Sequence, residues 1–111
     1  MNGREFFKQA VKRFPEVIIE CLNHNKVDIK DINLFLPHQA NIRINNMVKE
    51  KLGLNDNQIL NNIHKYGNTT SATIPILLAE AYQDDMIKKD DFILMAAFGS
   101  GFTWGASLIK W

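Results

Sequence analysis

Apolar residues recur along residues 4–25 as Phe7, Ala10, Val11, Phe14, Ile18, Cys21 and Leu22, the three-and-four spacing of one helix face. Pro15 interrupts this stripe. It cannot donate to the carbonyl of Val11, so the pattern predicts a kink there or two shorter helices, with Pro15 suited to the first position of the second. NHNKVDIKD, residues 23–31, is polar and reads as a connection. INLFLP, residues 32–37, is a short apolar run ended by a proline, the pattern of a parallel strand buried on both faces. ANIRINNMVKEKLG then turns helical, with Ile42, Ile44, Met47, Val48 and Leu52 as its apolar positions and Gly53 as its C-terminal cap. Residues 54–68 read mostly as loop, with a helical turn at 55–60 and a short strand near Ile63. Residues 69–86 predict a helix whose candidate caps are Asn68, Thr69 and Ser71 and whose Pro75 falls near the first turn. FILMAAF and FTWGASLIKW read as two strands joined by a tight GSG hairpin.

The order α, β, α, short β, α, β, β predicts an α/β fold over residues 1–111 as a single domain. It would be a mixed sheet flanked by helices and closed by a C-terminal antiparallel hairpin. In such folds the chemistry gathers at the C-terminal ends of parallel strands. His38 stands at one such end, and the hairpin loop 99–101 lies at another.

Composition narrows the classes of function. A net charge of +1 on 111 residues gives no broad field for nucleic acid or an anionic membrane. No apolar run approaches the roughly 18 residues of a membrane span. The single cysteine, Cys21, excludes an internal disulfide and favours a cytoplasmic setting. It lies on the apolar stripe of the first helix with no His or Lys at contact spacing, the pattern of an inert thiol. No Cys/His spacing suggests a metal, and no dinucleotide or phosphate loop is present.

The polar positions that break the apolar pattern are the candidates for chemistry. His38 can donate one hydrogen bond as a neutral imidazole if its other nitrogen is held. Asn68 can donate without carrying charge. Two such donors meeting one carbonyl oxygen would stabilise an enolate, because preorganised donors act most where charge develops. Gly99, Ser100 and Gly101 allow a backbone N–H to approach a ligand closely. Each has a plainer reading: a strand-end histidine bonded to backbone, a capping or left-handed asparagine after Gly67, and glycines that turn a hairpin. Arg43, near the start of the second helix, is the cation best placed to meet a phosphate or an acidic partner.

Taken together, PHQANIRI, HKYGNTTSATIPILLAEA and AAFGSGFTWGASLIKW resemble the C-terminal end of the β-ketoacyl-acyl-carrier-protein synthase III family, within the thiolase superfamily. The resemblance runs from about Gly3 to Trp111. It implies a truncated C-terminal half of a thiolase-like fold. It also implies a part in the first condensation of type II fatty-acid synthesis, in which an acyl group, usually from acetyl-CoA, is loaded on a cysteine and attacked by the enolate of decarboxylated malonyl-acyl carrier protein.

By this resemblance His38 and Asn68 bind the malonyl thioester oxygen, Asn41 contacts the pantetheine arm, and Phe98 lies beside the malonyl carboxylate. Ser100 lends a backbone N–H to the oxyanion hole, and Arg43 lies on the carrier-protein face. Acyl-CoA and the malonyl carrier are substrates, and no cofactor is implied. The family's nucleophilic cysteine belongs to an N-terminal half that this sequence lacks. The chain alone is therefore expected not to condense anything, and to associate with itself or with a partner carrying the missing half. Two alternatives remain: a paralogue that primes polyketide or other acyl chains, and a binding module without catalysis.

Overall fold

In a computed structural model of the chain, which describes residues 3–99 and 101–111, a three-stranded sheet is packed between helices. The first helix, α1, runs unbroken from Gly3 to His24 with Pro15 buried inside it. The expected division at Pro15 does not occur. The carbonyl that Pro15 leaves without a helical partner, that of Val11, accepts instead from Lys51 Nζ at 3.1 Å.

The strands are β1 (Leu34–Pro37), β2 (Phe92–Gly99) and β3 (Thr103–Lys110), in the order β1-β2-β3. β1 pairs parallel with β2, Leu34 opposite Ile93 and Pro37 opposite Ala96. β2 pairs antiparallel with β3 from Phe92–Lys110 to Gly99–Thr103, which closes the predicted hairpin.

Alternation along the strands explains why β1 reads as a continuous apolar run. Phe35, Leu94, Ala96 and Phe98 face one core, shared with Ala10, Phe14, Ile18 and Leu22 of α1 and with Ile44, Val48 and Leu52 of α2 (Ile42–Leu52). Leu34, Leu36 and Ile93 face a second core, against Leu77 and Ala81 of the helix Thr73–Gln83. All four residues of β1 are consequently buried, as expected for a parallel strand covered on both sides. β3, the edge strand, is largely open, and Phe102, Trp104 and Trp111 stand exposed beside it or within it.

Local signals account for the helix ends. Gly53 terminates α2 in the left-handed region at φ 71°, where a residue without Cβ is unstrained. Asn41 caps its start, Oδ1 accepting from the N–H of Arg43 at 2.8 Å.

The segment between α2 and the helix Thr73–Gln83 departs from expectation. A 3-10 turn does form at Asp56–Gln58. Ile63, however, begins a short helix, α3 (Ile63–Tyr66), rather than a strand. The only strand-like pairing there is a single parallel bridge between Phe35 and Ile59. Downstream, a 3-10 turn at Thr70–Ala72 leads into α4 (Thr73–Gln83), shorter than the predicted helix. No side chain caps α4; its N-cap is Ala72, so neither Thr69 nor Ser71 serves as expected. Among the described residues no helix is long and apolar enough to cross a membrane.

Candidate active site

Parallel pairing sets the C-terminal ends of β1 and β2 side by side. The chain leaves β1 through His38, whose N–H still bonds the Ala96 carbonyl of β2 at 2.9 Å. A cleft of about 630 Å³ opens at this end. Its walls include His38, Asn41, Asn68 and Phe98, with Phe6 and Phe7 from the start of α1. The three polar stretches separated in sequence thus meet at one place.

His38 is half-buried, and its Nδ1 lies 2.5 Å from the Thr73 hydroxyl, itself buried at the start of α4. Burial pushes the imidazole below its ordinary pKa, because desolvation penalises the charged form. The ring is therefore neutral at neutral pH. A hydroxyl that donates to Nδ1 leaves the ring proton on Nε2, which has no partner among the described residues.

Asn68 follows Gly67, which adopts φ 66°, ψ −155°, a conformation essentially confined to glycine. The Asn68 Oδ1 accepts from the N–H of Thr70 at 2.9 Å. Because a backbone N–H can be met only by the amide oxygen, this bond fixes which end of the carboxamide remains free. Asn41 repeats the arrangement with its own cap bond to Arg43. Both asparagines thus have their acceptor engaged and their NH₂ donor available. Thr70, on the same wall, is held at φ 53°, an outlier for a β-branched residue.

Phe98 is almost fully buried in an aromatic cluster. It stacks on Trp104 with centroids 5.7 Å apart and planes at 12°, and meets Phe6 edge-on at 5.3 Å. Arg43 does not line the cleft. It is exposed and lies over the Phe7 ring, 5.0 Å from the centroid, which places its charge at the rim. Ser100 lies outside the described residues; its neighbour Gly99 lines the cleft. Cys21 lies elsewhere, in a groove with Ala106 and Ser107, and burial pushes its thiol up, against nucleophilic use. Among the described residues no group of three or more His, Cys, Asp or Glu could hold a metal ion.

Two features were missed from sequence. Thr73 was read only as part of a helix. Gln39 drew no role, yet it is fully buried with both ends of its carboxamide bonded, to partners 22 to 24 residues away as well as to Pro37. The available signal for Thr73 was a hydroxyl five residues after Asn68, at the start of the predicted helix. For Gln39 no local signal exists, since its partners are remote.

Residues 22–111 match the family described as 3-Oxoacyl-[acyl-carrier-protein (ACP)] synthase III C terminal. The beta-ketoacyl-[acyl-carrier-protein] synthase III of Clostridium tetani is 48% identical over 111 residues, covering 100% of this chain and 33% of that protein. The crystal structure of 3-oxoacyl-[acyl-carrier-protein] synthase III from Aquifex aeolicus superposes with a TM-score of 0.97 at 47% identity, over 100% of this chain and 36% of that one. The Thermus thermophilus structure gives 0.97 at 41% identity, over 100% and 35%. The chain spans about a third of the length of the curated relatives it matches. With motifs, fold and cleft in agreement, the chain belongs to the 3-oxoacyl-[acyl-carrier-protein] synthase III C-terminal family.

Proposed function

We propose that this chain supplies the thioester-binding part of a decarboxylative condensing centre, working with a nucleophilic cysteine carried by the remainder of a synthase III. The observation that carries the reading is the set of neutral donors around one cleft. His38, Asn41 and Asn68 all line it, and each has one amide oxygen or ring nitrogen already engaged by a protein partner.

In this reading the His38 Nε2–H and the Asn68 NH₂ donate to the malonyl thioester oxygen. As the carboxylate leaves as CO₂, the electron pair of the breaking C–C bond moves into an enolate, and the negative charge grows on that oxygen. Donors already in place stabilise this charge without reorganising. The enolate carbon then attacks the acyl thioester on the cysteine, and the thiolate departs. Neutral donors suit the step, since a cation at the same place would also hold the starting carboxylate. Phe98 provides an apolar neighbour for that carboxylate, favouring its loss. Asn41 contacts the pantetheine arm, Arg43 meets the acidic carrier protein at the rim, and Ser100 contributes a backbone N–H to the oxyanion hole. The substrates are malonyl-acyl carrier protein and an acyl-CoA, acetyl-CoA being the expected starter. The chain by itself condenses nothing, and Cys21, off the cleft, does not substitute for the nucleophile.

The open edge at β3, with Trp104 and Trp111 exposed, supports association with the remainder of a synthase III or with a second copy. A strictly monomeric, well-folded chain in light scattering would count against that.

The test joins this chain to a family member's N-terminal part and measures malonyl-carrier decarboxylation. His38→Ala and Asn68→Ala should each lower it by about 10²- to 10³-fold, the usual loss for one oxyanion donor. Loading of the acyl group on the cysteine should be largely spared. Unchanged decarboxylation in both variants would sink these roles.

A further inference from the structure

The residue between His38 and Ala40 has no part in the chemistry above, yet it is among the most tightly held in the molecule. The Gln39 side chain is fully buried. Its Nε2 donates to the Pro37 carbonyl at 2.8 Å and to Asn61 Oδ1 at 3.0 Å. Its Oε1 accepts from the N–H groups of Asn62 and Ile63, at 3.0 and 3.1 Å. A carboxamide offers two donors and two acceptor positions, and here all four are used. The bonds run from the end of β1 to the first residues of α3.

A second carboxamide reinforces the link. Asn45, on the first turn of α2 and almost fully buried, donates to the same Asn61 Oδ1 at 2.9 Å and approaches the His38 carbonyl at 3.4 Å. Asn61 Oδ1 therefore receives two N–H groups, one from Gln39 next to His38 and one from Asn45 on α2. The segment so clamped is the one that leads, through α3 and Gly67, directly to Asn68. α3 is four residues long, too short to hold its own position. Its start is fixed by the Gln39 oxygen, which takes up N–H groups that a helix start leaves unpaired.

We propose that Gln39 is a positioning residue for decarboxylation: its carboxamide clamps the end of β1 to the start of α3 and so sets the separation of His38 from Asn68. The inference rests on the proposed roles of that pair. Two donors must converge on one oxygen, so an error of an ångström in their spacing matters where the same error at an isolated residue would not.

The experiment uses the active, completed enzyme and compares decarboxylation of the malonyl carrier with acyl loading of the cysteine. Gln39→Met keeps length and apolar bulk but removes all four bonds. Asn61→Ala removes the shared acceptor, whereas Asn61→Asp retains it. Gln39→Met and Asn61→Ala should lower kcat for decarboxylation by about 10- to 100-fold, the effect expected of a misplacement near 1 Å. KM and loading should stay close to wild type, and Asn61→Asp should recover most of the rate.

In an Asn68→Ala background Gln39→Met should cost no more than about twofold further, since residues acting as a unit are not additive. Parallel loss of loading, or full additivity with Asn68→Ala, would overturn the proposal in favour of a purely structural role. If Gln39→Met does not fold, the Asn61 pair decides the question alone. The two readings fail separately. Unchanged decarboxylation in His38→Ala and Asn68→Ala removes the proposed function, whereas collapse in those variants with a normal rate in Gln39→Met and Asn61→Ala removes only the positioning role.

Discussion

Lys51 Nζ lies 3.1 Å from the carbonyl oxygen of Val11, forty residues earlier in the chain. That carbonyl is the one Pro15 cannot satisfy within α1. An ammonium from α2 thus replaces a helical N–H and joins two helices at the same point. Lys51→Met should cost about 0.5–1 kcal/mol, the net worth of a hydrogen bond that water can partly replace. In a Pro15→Ala background the Val11 carbonyl regains a backbone donor, and most of the Lys51→Met cost should vanish. Urea denaturation of the four proteins in this cycle measures the coupling. Equal costs in both backgrounds would show that Lys51 does not serve the proline.

The Thr73 hydroxyl lies 2.5 Å from His38 Nδ1, and if it donates there the ring proton is held on Nε2. Thr73→Val preserves shape and removes the hydroxyl; Thr73→Ser preserves the hydroxyl. Valine should lower decarboxylation about 10-fold or more, as expected for a disturbed general donor, and serine should restore it. Nitrogen-15 chemical shifts of the His38 ring give an independent readout. The wild type and Thr73→Ser should show the Nε2–H tautomer as the major form, and Thr73→Val a mixture. A pure tautomer in all three proteins would dissociate Thr73 from the effect.

Gly67 offers a test of backbone rather than side chain. A Cβ added there would meet nothing within 4 Å, so space is not the obstacle. The obstacle is φ 66° with ψ −155°. Gly67→Ala should destabilise the fold by about 1–3 kcal/mol, or force the peptide to relax and displace Asn68. Thermal or urea unfolding reads the first outcome and the decarboxylation rate the second. A variant normal in both would remove the reason for glycine at this position.

Burial of His38 carries a pH signature with a definite sign. The folded imidazole has a lowered pKa, so the unfolded chain binds the proton more tightly. The stability associated with the neutral ring is intact above the ordinary histidine pKa, near 6.5, and is lost as pH falls below it through the folded value. Urea midpoints between about pH 5 and 8 should decline on the acid side, and His38→Gln should flatten that decline. An identical acid slope in His38→Gln would exclude His38 as its source.

The pattern of the chain disclosed what was encoded locally. The strand at Leu34–Pro37, the hairpin strands and α2 with its glycine cap all follow from periodicity and turn residues close in sequence. The convergence of His38, Asn41, Asn68 and Phe98 followed from strand order combined with the family resemblance. What escaped was non-local. A strand was expected near Ile63 because four residues are too few to show helical periodicity, and the group that fixes that helix start is Gln39, remote in sequence. Of the kink or division expected at Pro15, the division does not occur, and the Val11 carbonyl is met by Lys51, forty residues away. Asn41, expected from the resemblance to contact a pantetheine arm, caps α2, a role its position just before the helix could have signalled.

Among the described residues the walls of the cleft contain no Asp, Glu, Lys or Arg; polar character there comes from an imidazole, two carboxamides and hydroxyl groups. A formal positive charge stands at the rim in the exposed Arg43, stacked on Phe7. Ionic strength therefore acts on the two regions differently. Mobile ions screen an exposed guanidinium within about 8 Å at physiological salt, but have little hold on dipoles turned toward a neutral oxygen. If the proposed function holds, added salt would weaken the encounter with an acidic carrier and leave the rate of bond breaking in the bound complex nearly untouched. In that reading the geometry of this end of the sheet divides recruitment from chemistry: one would be tuned by the surrounding electrolyte, the other insulated from it.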